Sequence, residues 1–176
     1  VDYCRAIAAA VLGDSEAVEF RTLTAAERFA ALESGEIDVL VRNTTWTQTR
    51  DTDLNQDFVA TTFYDGQQIM GNPANLPGLT VDGGFADIDG AIVCTNAGTT
   101  TEQNIKEGAE AAGVSITLQT VETFTEAIDG FIAGTCDIVT TDGSGLFGHR
   151  ASNIAAGTPG AEDWVIFPEA PISKEP

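Results

Sequence analysis

The apolar and polar positions of this chain form a pattern that occurs twice, at one fixed offset. Thr24-Ala-Ala-Glu27 opens an apolar run of helical spacing that stops at Gly35, and Ile37-Asp38-Val39-Leu40-Val41 follows. Thr123-Phe-Thr-Glu126 opens a second run that stops at Gly134, and Cys136-Asp137-Ile138-Val139-Thr140 follows. Thr24 and Thr123, Glu27 and Glu126, Gly35 and Gly134, and Asp38 and Asp137 all stand 99 positions apart (123 − 24 = 99). Each Thr-x-x-Glu predicts a capping box at a helix start, and each glycine a left-handed turn past the helix end. The β-branched run after each glycine reads as a buried strand.

The register extends upstream. Strand-like residues 18–23 fall opposite 116–122, and a helical pattern over 2–12 falls opposite one over 100–111. The later helix is preceded by an apolar strand, Ala91-Ile-Val-Cys94, and a turn, Asn96-Ala-Gly98. The matching positions would lie before Val1, so the repeat predicts a first lobe that is one strand short. Residues 71–89 are rich in Gly, Pro, Asn and Asp and read as a surface loop. Residues 90–150 read as strand, helix, strand, helix, strand, with a further loop over 152–163 and a strand at Trp164-Val-Ile-Phe167. Alternation of this kind predicts parallel-rich sheets flanked by helices. The expected organisation is α/β with two lobes and a cleft: a partial lobe 1 over 1–57, a hinge-crossing segment over 58–70, lobe 2 over 71–163, and a truncated return segment over 164–176.

Charge changes the picture more than composition does. Eight basic residues against 27 acidic ones give a net charge of −19. Nucleic-acid and anionic-membrane binding need a positive footprint, and this balance argues against both. The acidic balance is read as solubility or a salty habitat. No apolar stretch approaches the length of a membrane span.

The three cysteines include no C-x-x-C, which argues against zinc or thioredoxin-like chemistry. Cys94 and Cys136 fall in the same lobe and can pair in an oxidising compartment. Cys94 sits late in its strand and Cys136 early in its own, an offset that works against the short separation a disulfide needs, so the sequence leaves the Cys94–Cys136 pairing open. Cys4 is left over. Asp51-Thr-Asp53-Leu-Asn55-Gln-Asp57 mimics the start of a calcium loop. It lacks the glycine expected sixth and the glutamate expected twelfth, where Gln56 and Thr62 stand, so no metal site is expected. His149, the single histidine, has no spaced partner and is expected on the surface beyond a helical turn. Gly143-Ser144-Gly145 is no nucleophile elbow, because Asp142 occupies the first glycine position.

Ligands of open α/β sheets sit beyond the carboxyl ends of the strands. One such end runs into Arg42-Asn43-Thr44-Thr45-Trp46-Thr47-Gln48-Thr49-Arg50, another into Gly98-Thr99-Thr100-Thr101, and a third into Thr141-Asp142-Gly143-Ser144. Arg50 offers a fork for a carboxylate. Thr99 and Thr100 offer hydroxyl and backbone donors at a helix start, and Asp142 offers an acceptor for an ammonium group. The plainer roles are a surface ion pair for Arg50, a helix cap for Thr99 and a turn residue for Asp142. Together the three groups suit a zwitterion.

Several of these stretches are shared with a known family. Val41-Arg-Asn-Thr-Thr-Trp-Thr-Gln-Thr-Arg50-Asp and Phe63-Tyr-Asp-Gly66 resemble periplasmic general L-amino-acid-binding proteins of ABC importers, the bacterial extracellular solute-binding proteins of family 3. Gly98-Thr-Thr-Thr-Glu102, the run Cys136-Asp-Ile-Val-Thr-Thr-Asp142-Gly-Ser-Gly-Leu146, and Ile172-Ser-Lys-Glu-Pro176 fit as well. The resemblance implies a type II periplasmic-binding-protein fold, truncated at both ends. It also implies that Arg50 holds the ligand carboxylate with Thr45, Thr99 and Thr100. Asp142 then holds the amine, with backbone near Asn43, while Trp46 and Tyr64 line the pocket. It implies an L-amino acid as ligand, a membrane permease as partner, no cofactor, no catalysis and a periplasmic location. A homodimer that covers bare sheet edges is one expected remedy for missing strands. The competing readings are a dehydratase-like enzyme on the same fold, which would consume its ligand, a sensor domain of a regulator, and a form no longer competent to bind.

Overall fold

A computed structural model describes residues 1–54 and 56–176 and divides the chain into two compact units, Val1–Ala60 and Thr61–Pro176. The first unit holds three helices: α1 (Asp2–Leu12), α2 (Arg28–Glu33) and α3 (Gln48–Thr52). The predicted reciprocal bonds of Thr24 and Glu27 form, but in a turn just ahead of α2, whose own N-cap, Glu27, makes no side-chain cap. Thr24 N donates to Glu27 Oε2 at 3.0 Å, and Glu27 N donates to Thr24 Oγ1 at 3.3 Å. Gly35 takes the left-handed turn at φ 72°.

The strands expected over 18–23 and 37–41 do not form. Both runs carry no strand pairing, and no strand occurs among the described residues of this unit. Side chains link them: Arg21 pairs with Glu36, and Arg42 Nη1 donates to Leu23 O at 3.4 Å. A strand exists only through a backbone ladder with a neighbour, whereas alternation in sequence supplies merely the conformational preference.

The second unit is a five-stranded mixed sheet in the order β3-β2-β4-β1-β5. Its strands are β1 (Gln67–Gly71), β2 (Ile92–Asn96), β3 (Thr117–Val121), β4 (Ile138–Asp142) and β5 (Val165–Phe167). β3, β2 and β4 run parallel, as the alternation of strands and helices predicts, whereas β1 is antiparallel to both β4 and β5. Residues assigned in sequence to a crossing and a returning segment thus supply two strands of this sheet. Helices α4 (Thr100–Ala112), α5 (Phe124–Ala133) and α6 (Gly143–Ala156) cover it.

Successive strand residues point to opposite faces, and this builds two cores. Met70, Cys94 and Val139 pack with Ile128, Phe131, Leu146 and Trp164 on one face. Ile69, Val93 and Ile138 pack with Leu79, Ile88, Ile105 and Phe167 on the other. At α5 the box caps the helix itself, with Thr123 N to Glu126 Oε2 at 2.9 Å and Glu126 N to Thr123 Oγ1 at 3.3 Å. Helix α6 runs through residues expected to be loop, because Gly143-Ser144-Gly145 at its start masks the helical period. His149 therefore lies inside this helix, half-buried against the Phe124 ring at 5.1 Å, and burial lowers its pKa.

Cys94 and Cys136 are joined in a disulfide with Cα atoms 5.8 Å apart. The offset between the strands does not keep the cysteines apart, because Cys136 precedes β4 and is held by the end of α5. Gly130 O accepts from both Thr135 N at 2.9 Å and Cys136 N at 3.2 Å. A Cβ on Gly130 would come within 2.9 Å of Cys136 Sγ, so only glycine admits this approach.

Among the described residues no helix is long and apolar enough to cross a membrane. Eight bases cannot neutralise 27 acids, so most carboxylates repel one another across the surface. Salt shortens that repulsion to about 3 Å at 1 M. The melting temperature is therefore expected to rise steadily as NaCl is raised from 10 mM to 1 M. A flat thermal-denaturation series would contradict this.

Candidate functional site

The first unit supplies a compact set of groups around α3. Thr47 caps this helix through Oγ1, which accepts from Arg50 N at 3.2 Å. That cap sets the first turn and with it Arg50, which is 7% exposed. Its Nη1 donates to Thr45 O at 2.8 Å, and its guanidinium lies 5.1 Å from the Phe29 ring centre. A guanidinium so buried has to be hydrogen-bonded, and its planar fork matches the two oxygens of a carboxylate. Trp46 stacks on Phe58 at 5.4 Å and keeps an exposed edge, while Asn43 is exposed and Thr45 half-buried.

Arg28, which sequence reasoning passed over, is 2% exposed and sits 4.9 Å from the same Phe29 ring. Its Nη1 donates to Asn43 O at 3.5 Å. A signal for it existed in the repeat: 99 positions on from Arg28 stands Ala127, a fully buried alanine. A charge where the other copy is core marks a place doing something besides packing.

The second unit brings together the ends of β2 and β4. Their parallel register sets Cys94 opposite Val139, so Asp142 stands level with position 97 (142 − 45 = 97), close to the start of α4. Thr99 caps α4: its Oγ1 accepts from Glu102 N at 3.1 Å and donates to Asn96 O at 2.8 Å. Thr100 Oγ1 donates to Glu175 Oε2 at 3.0 Å. Asp142 is half-buried at the junction of β4 and α6, where Gly143 N donates to Gly66 O at 2.8 Å. Tyr64 is 77% exposed.

Glu102 braces the turn before α4, taking Gly98 N at 2.9 Å and Lys106 Nζ at 2.7 Å. Burial pushes its carboxyl upward, but those two donors outweigh burial and hold its pKa below the usual value. Behind this end lies a buried polar cluster that sequence reasoning also missed. Gln67 Nε2 donates to Thr101 O and to Thr140 Oγ1, both at 2.9 Å, and Thr95 Oγ1 donates to Thr140 O at 2.8 Å. These bonds fix the starting turn of α4 against the strands that carry it.

The calcium-loop mimic does not assemble as a loop, because Asp51 and Thr52 belong to α3, and Asn55 lies outside the described residues. Among the described residues no group of three His, Cys, Asp or Glu side chains is placed to hold a metal.

A sheet of this topology, with polar groups gathered at the carboxyl ends of parallel strands, defines the type II periplasmic-binding-protein class. The chain belongs to the bacterial extracellular solute-binding proteins, family 3, whose model matches residues 1–77. It is 47% identical over 176 residues to the glutamate/glutamine/aspartate/asparagine-binding protein BztA of Rhodobacter capsulatus, covering all of this chain and 49% of that protein. A periplasmic binding protein of an ABC transporter from Brucella ovis, solved with glutathione bound, superposes with a TM-score of 0.84. That structure is 44% identical, and the match covers 99% of this chain and 52% of the other. An ancestral arginine-binding protein bound to arginine superposes at 0.79 with 31% identity, covering 99% of this chain and 70% of that one. The chain spans about half the length of the curated relatives it matches.

Proposed function

We propose that this chain belongs to a protein that binds an L-amino acid in the periplasm and passes it to the membrane permease of an ABC importer. Two groups of opposite charge, one in each unit, support the reading, and the buried guanidinium is the observation that carries it. Arg50 is a buried guanidinium in the first unit, and Asp142 stands at the carboxyl end of β4 in the second. Arg50 takes the ligand carboxylate with help from Thr45, and Asp142 takes the ammonium, with backbone near Asn43. Trp46 and Tyr64 contact the ligand side chain. The helix start at Thr99 and Thr100 adds backbone donors for the carboxylate. The named relative that binds glutamate, glutamine, aspartate and asparagine supports polar side chains as the first to try.

Isothermal titration against a panel of L-amino acids, led by those four, tests the reading. Micromolar binding with the ligand recovered intact is the expected result. Consumption of the ligand would place the chain among enzymes instead, and no heat across the panel from a folded protein would overturn the assignment. Asp142→Ala is expected to weaken binding roughly 10- to 100-fold, the usual consequence of leaving a buried ammonium without its counter-charge. Unchanged affinity in that variant would remove Asp142 from the site.

A further inference from the structure

Helix α6 starts directly after Asp142, and this aspartate does not do what its place in the chain favours. The first amides of a helix lack partners within it, and an aspartate just before them ordinarily turns its carboxylate back to accept from one. Asp142 makes no such bond. The chain that enters β1 supplies the acceptors instead. Gly143 N donates to Gly66 O at 2.8 Å, Ser144 N donates to Asp65 Oδ1 at 3.3 Å, and Ser144 Oγ donates to Asp65 Oδ2. Two carboxylates thus compete for one helix start, and the one from outside the helix holds it.

Asp65 is built into this place. Its N–H donates to Glu175 O at 2.9 Å and its carbonyl accepts from Glu175 N at 3.0 Å, while its Oδ1 also accepts from Gly66 N at 2.8 Å. Gln67 stands opposite Asp142 in the β1–β4 register, so residues 65 and 66 run on beside 143 and 144. Glycine at 66 and at 143 permits the approach, since a Cβ there would collide with Pro171 and with the Gln68 side chain, respectively. We propose that Asp65 is a positioning residue for Asp142. By capping α6 from outside, it keeps the Asp142 carboxylate from folding back onto the helix, so that the ligand ammonium does not have to displace it from a cap. Asp142 makes further contacts, which this division leaves in place because it concerns the α6 amides alone. The inference rests on the amino-acid-binding reading above.

Asp65→Ala hands the cap to Asp142, and melting temperatures read that transfer without any ligand. The change is expected to lower the melting temperature less in the unaltered chain, where Asp142 steps in, than in an Asp142→Ala background, where no aspartate is left to cap. Loss of the fold in the double variant alone is the same result at its limit. Equal falls in the two backgrounds overturn the proposal. So does an Asp65→Ala chain that fails to fold with Asp142 in place, because Asp142 has then not taken the cap over.

Affinity reads the consequence. Titration of Asp65→Ala with L-glutamine is expected to show binding about five-fold weaker, the scale of one helix cap that the ammonium must now displace. In the Asp142→Ala background the same change should alter affinity less than about two-fold, because the group it acts through is gone. A merely structural role would weaken binding equally in both backgrounds, and that result overturns the proposal. Asp65→Asn should stay within about two-fold of the unaltered chain, since asparagine caps a helix as well as aspartate does. A loss in Asp65→Asn as large as in Asp65→Ala would make charge the operative property and overturns it too. Silence of the unaltered chain toward every amino acid overturns the binding reading itself, whereas equal falls in melting temperature overturn this inference alone.

Discussion

Replacing Arg50 by alanine is expected to abolish L-amino-acid binding, raising Kd by ~100-fold or more. Truncating one partner of a desolvated, hydrogen-bonded charge pair typically costs about 2–5 kcal/mol, and 2.7 kcal/mol is about 100-fold. The proposed role makes Arg50 one partner of such a pair. It is 7% exposed, its helix start is fixed by the Thr47 cap, and one nitrogen of its fork is turned to Thr45 O at 2.8 Å. Arg50→Lys should recover little, since a point charge on a flexible stem lacks the fork that grips a carboxylate at two points. Because the guanidinium also lies on Phe29, the melting temperature has to be followed alongside affinity. Arg28→Lys is the matched control: it alters a second buried guanidinium on the same ring, 4.9 Å from its centre. Titration that shows near-native affinity in a folded Arg50→Ala protein would take Arg50 out of the site, and the carboxylate would need another partner.

Most of the second unit was legible in its sequence, and the reasons are local. The Thr123–Glu126 box, the left-handed Gly134 and the short β-branched run after it act over a few residues, so reading them needs no knowledge of distant neighbours. The first unit shows the limit of that logic. Its Thr24–Glu27 bonds and turning glycine form, though the bonds fall ahead of α2, and the runs at 18–23 and 37–41 form no strands, because a ladder depends on a partner that a local pattern does not contain. Helix α6 was illegible for the opposite reason, since three residues poor in helical propensity open a helix that its packing stabilises. The candidate site divides in the same way. Strand ends pointed to Arg50, Thr99 and Asp142, yet the burial of Arg50 and its contact with Phe29 depend on chain separated from it by about twenty residues. The Thr100 contact with Glu175 closes over 75 positions, and no spacing rule anticipates it.

Loss of the Cys94–Cys136 disulfide is expected to lower the stability of the second unit by about 4 kcal/mol while leaving its affinity for ligand nearly unchanged. The stability term follows from the unfolded chain: a cross-link over 42 positions removes the closure entropy of a loop that size, about 4 kcal/mol at 25 °C. For a unit of this size that corresponds to a fall in melting temperature of roughly 10–20 °C. Alanine is the better replacement, because both sulfurs lie in the apolar core with Ile128, Phe131 and Leu146, where a serine hydroxyl would add a buried polar group. The separation of stability from binding follows from position. The bridge joins the middle of β2 to the entry of β4, whereas Thr99, Thr100 and Asp142 stand at the exits of those strands and are braced by Gln67, Asp65 and Glu175. Thermal denaturation with and without reductant, beside the Cys94→Ala/Cys136→Ala variant, measures the first part, and titration at 15 °C the second. A fall below about 3 °C would mean that the unfolded chain is already compact around this loop. A large loss of affinity in a variant still folded at 15 °C would mean that the bridge holds the strand exits after all, and that the polar braces behind α4 do not suffice.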